Sequence, residues 1–301
     1  MAGEDQDVGT IVVLTPMQLE YRAMRPHLDD RRREWHSKGT FADIGRIEGV
    51  PWPVALVVTG EGNLQTAVVA ERLAEWLRPI AMLVVGIAGS LKPDIDFGDV
   101  VVSTRVHGYH GGKEDDAGFH ARPQALPIPY RLLEVARAVD LDATWTTLLP
   151  EGAEPAVHFK PIAAGEVVLN SAGTALRRQL GAHYNDAAAI EMESAGAATA
   201  ALLNDSLPTL TIRGISDKAD GDKHLSDEKG WQPLAASHAA AFAVALLQQL
   251  PAAVAAAETT ETSPRRTRGD VSVQTISATG GTVYAVQNGQ IFTGPPPHPP
   301  R

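Results

Sequence analysis

Cysteine is absent from the 301-residue sequence, which excludes disulfides, thiolate metal sites and a cysteine nucleophile. No unbroken apolar run approaches the roughly 18–20 residues that span a bilayer. The opening MAGEDQDVGT is acidic where a secretory leader is basic, and together these features predict a soluble, cytoplasmic protein. Basic charge is also scarce: 26 Lys and Arg against 36 Asp and Glu leave a formal charge of −10. An extended phosphate-backbone footprint needs a basic face, so neither a nucleic acid nor a membrane is expected as partner. His107 and His110 are near neighbours, but no third ligand follows at a recognisable metal spacing. TGEGN at 59–63 has two glycines without the dinucleotide fingerprint. No metal and no cofactor is therefore expected, and a small-molecule substrate remains.

What is present is a regular alternation of strand-like and helix-like segments. TIVVLT at 10–15 reads as a buried strand, and PMQLEYRAMRPHL after it has helical apolar spacing with Pro16 near its start. VPWPVALVVTG, PIAMLVVGIAG, GDVVVSTRVHG, HFKPIAAGEVVL and LPTLTIRGIS read as further strands. NLQTAVVAERLAEWL, IPYRLLEVARAVDL, NSAGTALRRQL, EMESAGAATAALL and the Ala-rich WQPLAASHAAAFAVALLQQL read as helices. The pattern predicts a single α/β domain over 8–250, a mixed or largely parallel sheet wrapped by helices, with sites at strand ends. A polar Ala/Thr-rich linker is expected over 251–270. A β-prone, Pro-ending tail follows over 271–301, with hairpin signals at Gly280-Gly281 and Asn288-Gly289. Residues 258–301 hold four Arg and three acids, which leaves 22 basic and 33 acidic residues, a formal charge of −11, in the rest. The acidity belongs to the core.

Four segments then matter together: TPMQLE ending the first strand, VGIAGSL ending the third, AAIEMESAG opening a helix and RGISDKAD ending the last strand. Their order and spacing, with FGDVVVS between them, resemble the nucleoside phosphorylase superfamily over roughly residues 8–250. The hydrolytic branch, the methylthioadenosine/S-adenosylhomocysteine nucleosidases, is the most similar. The resemblance implies hydrolysis of the N-glycosidic bond of an adenine nucleoside, and a homodimer whose pocket is completed by a neighbour's loop. HGYHGGKEDDAGFHARP at 107–123 is the candidate for that loop.

The chemistry accounts for the residue types. Breaking the bond between purine N9 and ribose C1′ leaves an adenine anion and builds an oxocarbenium-like sugar. By the resemblance, Asp217 is the general acid for N7, which requires a carboxyl kept neutral by burial or by a neighbouring carboxylate. Ser216 and Arg213 would position it. Glu193 would hold the ribose hydroxyls with Met192 packed on the sugar, and Glu20 would activate the attacking water. Backbone groups near Val168 and Leu169 would read adenine, and Ala88 and Gly89 would line the pocket. Each residue also has a plainer use: Glu20 as a first-turn acid complementing a helix dipole, Asp217 as a turn or cap residue. Glu191 and Glu193 lie two apart, so they should face different ways, with one of them reaching the sugar.

Other readings compete. A phosphorylase needs an anion site, and Glu20 in place of an arginine would repel phosphate. Ile87 stands where the resemblance leads one to expect Ser or Thr, removing a hydroxyl, and Ser90 reads as a cap. A nucleotide (AMP, ATP or NAD) nucleosidase, with a tail that docks a protein partner, would suit the cations His107, His110, Lys113, His120, Arg122, Lys218, Lys223 and His224. A nucleoside-binding sensor with little turnover would not need Glu20, Glu193 and Asp217 together.

Overall fold

The computed structural model describes residues 9–221 and 229–261 and, in the tail, 283–287 and 290–294. The chain divides into two compact units, 1–257 and 258–301. The first is built on a ten-stranded mixed sheet, in the order β11-β10-β6-β12-β5-β1-β4-β3-β2, with β9 paired to β6.

Its centre is β1 (Thr10–Thr15), β4 (Val54–Val58), β5 (Pro79–Ser90) and β12 (Thr209–Asp217). These four run parallel, β1 between β4 and β5, and β5 between β1 and β12. Further out lie β6 (Val100–Gly108), β10 (Val157–Ala164) and β11 (Ala189–Glu191). β11 is parallel to β10 and antiparallel to the end of β5, so the sheet curls back on itself at that end.

Burial on both faces explains why the central strands read as continuous apolar runs. In β1, Ile11 and Val13 pack into one core and Val12 and Leu14 into another, as the two-residue period of a strand requires. The first core is covered by α1 (Gln18–Met24), α3 (Tyr130–Asp142) and α6 (Trp231–Glu261); the second by α2 (Asn63–Leu77) and α5 (Ser194–Leu203).

Several elements depart from the pattern legible in the sequence. β2 (Asp29–Trp35) and β3 (Phe41–Arg46) form an antiparallel extension at the sheet edge, where DDRRREW is almost wholly exposed. No apolar alternation marks such a strand, and charge on an edge is how a sheet avoids further pairing. β7 (Gly112–Asp115) and β8 (Gly118–Ala121) form a hairpin within 107–123, and β9 (Gln124–Pro127) returns to β6. The strand expected over 158–169 stops at Ala164, and the helix expected from Asn170 begins only at Ala175, in α4 (Ala175–His183). The helix expected from Glu191 begins at Ser194, because β11 occupies Ala189–Glu191.

α6 runs through Pro251 to Glu261, so the first part of the stretch expected as linker is helical; its Ala-rich composition favours that state. Among the described residues, the segment Trp231–Pro251 of this helix is long and apolar enough to cross a membrane by length and composition, yet 72% of it is buried inside the fold. It is a core helix, and Gly214 admits it: a Cβ there would lie 2.0 Å from the Ala235 carbonyl oxygen. In the second unit β13 (Val283–Gln287) and β14 (Gln290–Gly294) pair antiparallel. The expected turns at Gly280-Gly281 and Asn288-Gly289 and the β-prone run from 271 lie outside the described residues.

Candidate active site

The carboxyl ends of parallel strands converge on one cavity of about 210 Å³. β1 delivers Pro16 and Met17 and, through the first turn of α1, Glu20; β5 delivers Ile87, Ala88 and Gly89. β11 ends at Glu191, β12 supplies Ser216 and Asp217, and the segment after β10 contributes Val167, Val168 and Leu169. Strand ends are where an open α/β sheet leaves a crevice for a ligand.

Nine of the ten residues singled out in the sequence line this cavity: Glu20, Ala88, Gly89, Val168, Leu169, Met192, Glu193, Ser216 and Asp217. The tenth, Arg213, lies behind the wall with no exposed surface.

The resemblance implied that Arg213 positions Asp217; the contacts it makes here are with the glutamates. Its Nη2 donates to Glu191 Oε2 and, at 3.1 Å, to Glu193 Oε2, and its Nη1 is 3.9 Å from Glu20 Oε1. Nη1 also donates to the Ile87 carbonyl at 3.4 Å. Gly86 makes the approach possible: a Cβ there would sit 2.2 Å from Arg213 Nη1 and 2.5 Å from Glu20 Oε1. One buried cation thus faces three buried carboxylates.

Glu191 and Glu193 both line the cavity and both turn to Arg213, against the expectation that residues two apart diverge. The divergence fails because the helix has not begun; the chain leaves β11 and bends at Glu193 (φ −127°, ψ −33°). Glu191 then caps α5, accepting from the backbone N–H of Glu193 and Ser194 and from Ser194 Oγ. Glu193 Oε1 accepts from Gly62 N–H at 3.1 Å.

Glu20 accepts from Met17 N–H at 2.6 Å and from Ile87 N–H at 2.8 Å. It therefore caps α1 and faces the cavity at once, so the plainer reading and the functional one are compatible. Asp217 accepts from Ser216 Oγ at 3.2 Å and from Ala219 N–H at 3.0 Å. The second bond is the turn contact foreseen, and it fixes the carboxyl inside the cavity. Ser90 is a local cap, with Oγ bonded to the backbone of Lys92, and the Ile87 side chain lines the cavity.

The electrostatics follow from burial. Desolvation raises the pKa of Glu20, although Arg213 pulls the other way. Desolvation, opposed by Arg213 and reinforced by Glu191, raises Glu193 from 4.5 to about 7. Burial disfavours charge on Arg213, but Glu191, Glu193 and Glu20 outweigh it and hold it protonated. A carboxyl that keeps its proton in the fold while the unfolded chain has lost it costs stability as pH rises between those two values. Relative to Glu193→Gln, the wild-type protein should therefore lose stability from about pH 5 to about pH 7, with no further change above. Denaturant titrations of both proteins across that range check the slope.

Five of the eight cations expected to form a phosphate-binding rim are engaged elsewhere. Lys113 and His120 both bond Asp115 at 2.9 Å, and His107 bonds Asp186 at 3.1 Å. His110 Nδ1 accepts from Glu166 N–H, and Lys218 reaches the Ile95 carbonyl and Asp96. None of them, nor Arg122, lines the cavity among the described residues; Lys223 and His224 lie outside those residues. No cluster of three metal-type ligands occurs among the described residues. The sequence missed Gln232, which reaches the cavity from the first turn of an Ala-rich helix that nothing marked as functional.

A helix-covered mixed sheet with acids gathered at its strand ends defines an α/β enzyme that acts on a small molecule. The chain belongs to the Phosphorylase superfamily, whose family model matches residues 10–248. It is 27% identical over 245 residues to a 5′-methylthioadenosine/S-adenosylhomocysteine nucleosidase of Maridesulfovibrio salexigens, covering 80% of this chain and 99% of that one. Among solved structures, it resembles the nucleosidase of the same name from Colwellia psychrerythraea in complex with adenine (TM-score 0.69, 22% identity, 81% and 96% of the two chains). It also resembles the futalosine hydrolase of Helicobacter pylori (TM-score 0.69, 18% identity, 80% and 98%).

Proposed function

We propose that the protein hydrolyses the N-glycosidic bond of an adenine nucleoside of the methylthioadenosine/S-adenosylhomocysteine type, releasing adenine. The observation that carries this reading is the convergence of Glu20, Glu193 and Asp217 on one cavity, from three separate strand ends. A binding protein has no need of all three.

In this reading the purine lies against Val168 and Leu169, whose backbone reads its edge, and Asp217 gives a proton to N7. The N9–C1′ bond breaks toward a neutral adenine, and Glu193 holds the ribose hydroxyls as positive charge develops on the sugar. Water adds to C1′ and its proton passes to Glu20, which the Met17 and Ile87 amides hold in place. Met192 packs on the sugar, and Arg213 keeps the glutamates in position. No step uses a metal or cofactor. The hairpin β7–β8 would close the pocket of a second copy in a homodimer; a fully active monomer in sedimentation would overturn that part.

Release of free adenine from methylthioadenosine or S-adenosylhomocysteine in phosphate-free buffer tests the activity. If adenine appears only when phosphate is added, the enzyme is a phosphorylase instead. Glu20→Gln keeps one of the two amide contacts through its amide oxygen, since Met17 N–H and Ile87 N–H bond different carboxylate oxygens, and it cannot take the proton. Its kcat should fall by about 10²–10⁴ with nucleoside affinity little changed, measured by single-turnover kinetics beside calorimetric binding.

A further inference from the structure

Five carboxylates line the cavity, and four of them are buried: Glu20, Glu191, Glu193 and Asp217. The fifth, Glu61, is exposed, and it has no hydrogen-bond or ion-pair partner among the described residues. None of the steps above uses it.

Its position is set by its neighbour. Gly62 donates its N–H to Glu193 Oε1 at 3.1 Å, and Asn63 N–H and Nδ2 bond Glu166 Oε1 and the Gly165 carbonyl. Gly62 has φ +100°, open to glycine and strained for other residues, and a Cβ there would lie 3.0 Å from Glu166 Oε2. The 59–63 segment is thus clamped onto the carboxylate assigned to the ribose and onto the segment assigned to the purine. Glu61 is left at the open side of the same cavity. With the purine against Leu169 and Asp217 and the ribose hydroxyls at Glu193, the lining residues left without a role include Pro16, Met17, Glu61 and Gln232. The one part of a nucleoside not yet placed is its 5′ substituent, and Glu61 is the unassigned polar residue at the exposed side of the cavity.

We propose that Glu61 is a specificity-determining residue that reads the 5′ substituent, favouring a hydrogen-bond donor or a cation there and rejecting a phosphate. This inference rests on the nucleoside reading of the site. The charge argument is direct: an unpaired carboxylate at the mouth of a pocket attracts an ammonium or hydroxyl group and repels a phosphate. No cation among the described lining residues offsets it.

Four adenine nucleosides that differ only at the 5′ position test the idea: 5′-amino-5′-deoxyadenosine, adenosine, 5′-methylthioadenosine and AMP. For Glu61→Gln, kcat/KM for the amine should fall about tenfold, mostly through KM, while that for 5′-methylthioadenosine changes less than about twofold and that for AMP rises. Equal changes on all four, or no change on the amine, would overturn the proposal. The same set measured by calorimetric binding to wild-type and Glu61→Gln protein separates it from the activity itself. If the wild type releases no adenine but the amine loses affinity in the variant while the methylthio compound does not, the hydrolytic reading fails and the role of Glu61 stands. If adenine is released but Glu61→Gln leaves the ranking unchanged, the hydrolytic reading stands and the role of Glu61 fails. If no nucleoside binds, both fail.

Discussion

Asp217→Asn should lower adenine release from methylthioadenosine by about 10³-fold or more at neutral pH while leaving the fold intact. The asparagine oxygen still accepts from the Ala219 N–H that holds the native carboxyl at 3.0 Å, so the side chain stays in place. What is lost is the proton for N7, and an adenine anion is a poor leaving group. The loss should therefore depend on the leaving group. A 4-nitrophenyl riboside, whose leaving group departs without protonation, should retain most of its rate in the same variant. Steady-state kinetics on both substrates make the comparison. Equal losses on the two would mean that Asp217 binds or organises rather than protonates, and retained activity on methylthioadenosine would remove it from the mechanism.

The second large effect is on stability. Arg213→Met removes the one cation among the described residues that faces Glu20, Glu191 and Glu193, all buried. Leaving buried carboxylates without their partner costs about 3–5 kcal/mol. The sign with pH follows from which form the fold then prefers. Without Arg213 the folded-state pKa values of Glu20 and Glu193, already raised by burial, rise further, so the variant is penalised where the unfolded chain has ionised them and relieved where they are protonated. The deficit should be large at pH 8 and shrink toward pH 5, as read by chemical denaturation at the two values. Adding Glu191→Gln and Glu193→Gln should recover much of the loss at pH 8. A deficit that is the same at both pH values would assign the cost to lost packing instead.

The stability experiment bears on how catalysis is organised. Arg213 is a positioning residue in the proposed mechanism: it meets the glutamates, not the substrate. Its carboxylate partners serve twice, Glu191 as the cap of α5 and Glu20 as the cap of α1. The polar cluster that shapes the cavity is therefore also what starts the two helices flanking it. This is why the helix-dipole reading and the functional reading of Glu20 do not exclude each other.

Sequence alone determined the central strands, because TIVVLT, PIAMLVVGIAG and LPTLTIRGIS are buried on both faces and carry an unbroken apolar signal. It also determined the residue types at their ends, where polar side chains interrupt that signal, and four of those, Glu20, Glu193, Ser216 and Asp217, line one cavity. Only the tertiary structure decided who partners whom. Periodicity cannot say that β11 ends at Glu191 and bends at Glu193, so it separated two carboxylates that the fold brings to one guanidinium. Nor can it see an exposed, charged edge strand such as Asp29–Trp35, which buries almost nothing and so leaves no pattern. The cations from His107 onward read as a phosphate rim because sequence counts charges; the fold pairs Lys113 and His120 with Asp115 and His107 with Asp186. Charge is a property of the residue, but the field a ligand meets is set by distance and by the counter-charges nearby, and those exist only once the chain has folded.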